Sequence, residues 1–207
     1  MNEEQAVLDF FSQPENLPLA LSVAELLDKI RQRMNNGFWS ASRSRLADKL
    51  SHWRIDVTED RHSPDRYVGL HLQAPGEQTL FLQPMMEQQM IEGEMRIYFG
   101  LMWNVPPTDD KKNLPEIASL REKLQRVGFK NNERFLAWRW TTFYPQRKQF
   151  LLGLGTQPDM LLDKATTPLL DLLSSHETEL NLANTALREK GSCAAISLDQ
   201  LRMNLPR

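Results

Sequence analysis

Apolar positions recur at helical spacing in several stretches of this chain and alternate with polar ones in the stretches between. The first helical signal is short: Ala6, Val7, Leu8, Phe10 and Phe11 precede Pro14, and Leu17-Pro18-Leu19 then reads as a connector. A stronger helix is expected from Ser22, with Ser22 as N-cap and Glu25 completing a capping box. Its apolar face is Val23, Leu26, Leu27, Ile30 and Met34, and Asn35-Asn36-Gly37 supplies a stop. A second helix is expected over about 39–53, with Leu46, Leu50 and Trp53 on one side and Arg43, Arg45 and Lys49 facing solvent.

The period then changes to two. Trp53, Ile55 and Val57 alternate with Arg54, Asp56 and Thr58, as in a half-buried strand. Further strands are expected over 67–72 and 79–82, bounded by the turn residues Ser63-Pro64-Asp65 and Ala74-Pro75-Gly76-Glu77. Residues 95–103 form the most apolar strand candidate, which marks it as central, and 106–113 reads as a charged loop. A helix opens at Leu114-Pro115-Glu116, buries Ile117, Leu120 and Leu124, and stops at Gly128. Residues 135–141 and 150–153 read as two more strands, and 168–189 as a long leucine-rich helix.

The sum is an α+β fold: a helical N-terminal region, an antiparallel meander of about four to six strands with helices packed against it, and a long C-terminal helix. Residues 1–36 form the helical segment, 37–190 the α+β domain and 191–207 a tail.

Composition narrows the class. Of 207 residues, 41% are hydrophobic and 25% charged, which excludes collagen-like, low-complexity and wholly disordered chains. One cysteine, Cys193, excludes an intrachain disulfide framework and a multi-cysteine zinc site. The apolar runs fall short of the roughly 18 residues that span a bilayer. The acidic start, Met1-Asn2-Glu3-Glu4, lacks the features of a leader. A soluble protein of a bacterial-type cytoplasm is expected.

The net charge of −2 hides blocks of alternating sign. Residues 1–28 carry −6, 29–54 carry +6, 55–120 carry −6, 121–150 carry +6 and 151–207 carry −2. Either the blocks neutralise one another across the folded surface, or the two basic ones converge into a patch for an anionic partner.

Catalytic motifs are sparse. There is no Gly-x-Ser-x-Gly elbow, and Cys193 has no histidine near it in sequence. His52, His62, His71 and His176 form no helical zinc pair. Asp60, His62 and Asp65 could ligate a hard metal, although a solvated turn uses the same residues; His71, on a strand, reads as a hydrogen-bonded structural histidine. Pro64-Asp65 invites a nuclease reading, but no Asp/Glu-x-Lys triplet follows on the next strands. Gly153-Leu154-Gly155 meets neither the P-loop nor the dinucleotide fingerprint and reads as a tight turn. In element order alone, the chain resembles the C-terminal portion of some restriction-like bacterial defence proteins, a resemblance that carries no residue across. No catalytic residue, metal ligand or cofactor is assigned.

Two features stand above this background. Residues 130–150 interleave Lys130, Arg134, Arg139, Arg147 and Lys148 with Phe135, Trp138, Trp140, Phe143 and Tyr144, a mixture suited to single-stranded nucleic acid. Strand parity places Trp138 and Trp140 together, in the core on the simplest reading, with Arg139 outside. Phe38-Trp39 with Arg43 and Arg45 repeats the mixture more weakly, so Arg43, Arg45, Arg139 and Arg147 are the candidate nucleic-acid contacts. The second feature is the cluster Met85, Met86, Met90 and Met95, which is either core filler or an adaptable binding surface with Met86 and Met90 as partner contacts. The expected function is a non-enzymatic protein-interaction module: an adaptor, inhibitor or accessory subunit of a bacterial defence or regulatory system. It would bind a protein partner or itself, and nucleic-acid binding is the alternative.

Overall fold

The computed structural model describes residues 2–58, 68–73, 81–104 and 107–190. In chain order they form α1 (Glu3–Phe11), α2 (Leu17–Lys49), β1 (Arg54–Thr58), β2 (Gly69–Gln73), β3 (Leu82–Ile91) and β4 (Glu94–Trp103). Then come α3 (Asp109–Lys112), α4 (Pro115–Arg126), β5 (Phe135–Trp140), α5 (Lys148–Thr156) and α6 (Pro158–Glu189). The five strands lie in sequence order in one antiparallel sheet, and α2, α4 and α6 pack on one of its faces. The fold is α+β, with the meander and the long C-terminal helix that the hydrophobic pattern implies.

The main core lies between the helices and that face. Along β3 and β4, Leu82, Met86, Ile97, Phe99, Leu101 and Trp103 point into it, while Met85, Tyr98 and Met102 belong to a second cluster on the opposite face. The sheet therefore has two apolar faces, of which the helices cover one.

Several boundaries differ from those the pattern predicts. The two helices expected around Gly37 are one, α2, which runs through that glycine without a break. A mid-helix glycine costs about 1 kcal/mol relative to alanine. Phe38 and Trp39, both fully buried immediately after it, outweigh that cost. Ser22 lies inside α2, its hydroxyl donating to the Pro18 carbonyl at 2.9 Å, and is not an N-cap. Residues 150–153, expected as a strand, belong to helix α5, whose Phe150 ring packs 5.1 Å from Phe38 in the core. Helix α6 starts ten residues before Pro168, takes that proline into its interior and kinks at His176.

The methionine segment is a regular strand. β3 accommodates Pro84 because its ladder with β2 stops at Met85, so the missing N–H falls beyond that pairing. The β3–β4 hairpin closes on Glu92 and Gly93, both at positive φ, a two-residue turn of the type that matches strand twist. β4 lies inside the sheet, between β3 and β5, with β3 as the middle strand.

Asn184 joins α6 to the sheet. Its Oδ1 accepts from the backbone N–H groups of Phe81 (2.7 Å) and Leu82 (2.9 Å), and its Nδ2 donates to the Leu180 carbonyl at 3.0 Å, all of it buried. Asn184→Ala leaves two buried backbone donors unmet, at roughly 1–3 kcal/mol each if nothing replaces them. Urea unfolding should therefore show a loss of about 2–4 kcal/mol; a loss below about 0.5 kcal/mol contradicts this role for Asn184.

Candidate functional site

Helix α2 changes character along its length. Its buried residues, Phe38, Trp39, Ser42 and Leu46, all lie in the C-terminal half, on one face. Every residue from 21 to 30 is exposed. Yet that segment carries Leu21, Val23, Leu26, Leu27 and Ile30, each 38–58% exposed, and Leu17 and Leu19 precede it at 45% and 57%. Val7, Leu8 and Phe10 of α1 are also about half exposed. Leu19, Val23, Leu26 and Ile30 follow a four-three-four spacing, which lines one side of a helix. This arm is tied to the body at its start, where Lys148 donates to Glu3 at 2.8 Å. That hydrogen bond, reinforced by the opposite charge, holds the Glu3 carboxyl below its ordinary pKa and the Lys148 ammonium above its own.

The four arginines singled out in the sequence each face a partner within the chain. Arg43 donates to the Ile55 carbonyl at 2.9 Å, and Arg45 is ion-paired with Asp159 and Asp163. Arg139 donates to the Val127 carbonyl at 3.2 Å and lies over Phe99 and Phe129. Arg147 grips both carboxylate oxygens of Glu94, at 2.6 and 2.8 Å. Lys49 with Asp163 and Lys123 with Glu179 continue the pattern, joining segments of opposite sign. Met86 is fully buried in the main core and so offers no surface, whereas Met90 is half-buried. Asp60, His62, Asp65 and Cys193 lie outside the described residues. Among the described residues, no three His, Cys, Asp or Glu side chains gather as a metal site. Nor is any helix long and apolar enough to cross a membrane.

The sheet face turned away from the helices carries a second constellation. His71 Nε2 lies 2.8 Å from Glu87 Oε1, and the Tyr98 hydroxyl donates to Glu87 Oε2 at 2.6 Å. All three side chains are buried, so the carboxylate is held by directed hydrogen bonds away from water. Tyr98 is directly opposite Glu87 in the β3–β4 ladder and opposite Trp140 in the β4–β5 ladder. Trp138 and Trp140 share a side of β5, as their parity implies, but that side faces away from the main core, and both rings are half-buried. Arg139 is on the opposite side of β5 and is exposed, its guanidinium over the Phe99 and Phe129 rings, so arginine outside holds and the tryptophans pack on the second cluster instead of the main core. Tyr98, Phe135, Trp138 and Trp140 line a cavity of about 440 Å³.

Sequence reasoning found Phe135, Trp138 and Trp140 but not Tyr98 or Glu87 beside them. The parity of Arg96, Tyr98 and Met102 along β4 held the missing signal. No known family, curated protein or solved structure matches the chain.

Tyr98→Phe removes the hydroxyl from the Glu87 carboxylate and keeps the ring in place. Chemical denaturation should show a loss of about 1–3 kcal/mol, the cost of leaving a buried acceptor without its partner. An unchanged midpoint contradicts a structural role for this network.

Proposed function

We propose that this protein is a cytoplasmic protein-interaction module, an adaptor or accessory subunit, that pairs with a second copy of itself through its N-terminal arm. The observation that carries this reading is the fully exposed stretch 21–30 of α2 with its apolar stripe. Helices draw most of their stability from packing an apolar face, so a bare one calls for a cover. Ten large apolar side chains between Val7 and Ile30 are each about half exposed, and a concentration of exposed apolar residues marks an interaction surface.

Charge favours a second copy, arranged antiparallel. Residues 1–28 hold six acids and no base, whereas Lys29, Arg31 and Arg33 follow directly. In an antiparallel pair centred between Val23 and Leu26, Leu19 of one protomer meets Ile30 of its partner, and Arg33 comes level with Asn16, one residue from Glu15. A parallel pair would set acid against acid and base against base. The nucleic-acid alternative draws less support, because its four candidate arginines are engaged with carboxylates or backbone carbonyls of the chain itself.

Sedimentation equilibrium on the full chain tests this. The expected mass is twice the 24.0 kDa of one chain at micromolar concentration. Leu26→Glu with Ile30→Glu should give a monomer with unchanged circular dichroism, since both side chains lie outside the core. A wild-type chain that stays monomeric throughout the micromolar range overturns self-pairing.

A further inference from the structure

Three rings on the open sheet face pack at steep angles to one another. Tyr98 is inclined 83° to Trp138 and 73° to Trp140, and the two tryptophans stand at 87° to each other. Their centroids are 5.4–6.4 Å apart, and Phe135 stands at 87° to Tyr98 on a further side. Close strand approach makes this possible. A Cβ at Gly100 would run into the Ala137 carbonyl oxygen, so glycine there lets β5 bring Trp138 against β4. The cavity is lined also by the carboxylates of Glu87 and Glu133, with Arg134 as its one basic lining residue.

We propose that this corner is a binding site for a methylated ammonium group, such as the head of choline or a fully methylated lysine. Shape decides between the ligand classes that aromatic rings accept. A flat heterocycle can lie against one ring only, whereas a rounded methylammonium group can pack against steeply inclined rings together. Each face is the negative part of a ring quadrupole, and a cation that carries methyl groups loses little hydration on entering. The rings already act as cation platforms: Arg96 lies 4.7 Å from the Trp140 centroid and Lys130 5.7 Å from that of Trp138. Neither Arg96 nor Lys130 lines the cavity, so the cavity side of the corner stays open to a ligand. Glu87 is held in place by Tyr98 and His71, and Glu133 is exposed at the rim. Glu133 is the acidic group placed to meet a positive head at the rim. This site is independent of the arm, and its fate does not depend on self-pairing.

The test is calorimetric titration of the full chain with choline, its neutral carbon isostere 3,3-dimethylbutan-1-ol and adenosine, with tryptophan fluorescence as a second readout. Choline should saturate with a dissociation constant of about 1 mM or tighter, and the isostere should bind about tenfold more weakly because it lacks the charge. Trp140→Ala should abolish choline binding. Glu133→Gln, a rim substitution that leaves the fold intact, should weaken it several-fold and leave isostere binding unchanged. Equal affinity for choline and its isostere would reduce the corner to an apolar cavity. Saturation by adenosine without choline would make it a site for flat rings, and absence of binding by all three would remove the site. Each of these outcomes overturns the proposal.

Discussion

The hydrogen bond from Trp39 Nε1 to Gln88 Oε1, 2.9 Å long and fully buried, fixes α2 against the middle strand of the sheet. It joins residues 49 positions apart in the chain and satisfies two polar groups that would otherwise be stranded in the core. Phe38 packs beside Trp39 at 5.1 Å and against Phe150 of α5, so three elements converge at one point of α2. Every buried residue of this 33-residue helix lies at or beyond that point. The stretch before it projects because the core ends there, and the arm's exposure follows directly from where the anchor sits.

The sheet divides the molecule in a second way. One face carries the main core beneath α2, α4 and α6, and the other carries a smaller cluster of Met85, Tyr98, Met102 and Phe135 with the two half-buried tryptophans. The polar network of His71, Glu87 and Tyr98 belongs to that second face and links β2, β3 and β4 across it. Rigid neighbours hold the aromatic corner in shape: Tyr98 is fixed through its hydroxyl, and Trp138 through the close approach at Gly100.

The sequence made the architecture legible where the pattern was local. Ile117, Leu120 and Leu124 marked α4 correctly, and the alternation at Trp53, Ile55 and Val57 marked β1. It misled where long-range packing overrode local signals. Gly37 looked like a stop, but burial of the two aromatics after it carried the helix through. Residues 150–153 looked like a strand because four apolar or small residues in a row cannot reveal whether a sheet edge is available to them. The blocks of charge were visible, yet only the fold reveals that Arg45, Lys49 and Arg147 meet acids far away in sequence. The exposed face of the arm could not be read at all. Val23, Leu26 and Ile30 have the spacing of a buried face, and sequence cannot distinguish a face covered by its own chain from one left for another.

The central claim is that residues 21–30 of α2 are covered only when two chains meet. Hydrogen–deuterium exchange of the backbone amides in that stretch, followed as the full chain is diluted, tests it most directly. Residues 38–46, buried in the core, serve as the internal reference. The account predicts strong protection of 21–30 at high protein concentration that falls on dilution, while 38–46 remain protected throughout. Rapid exchange of 21–30 at every concentration would contradict it.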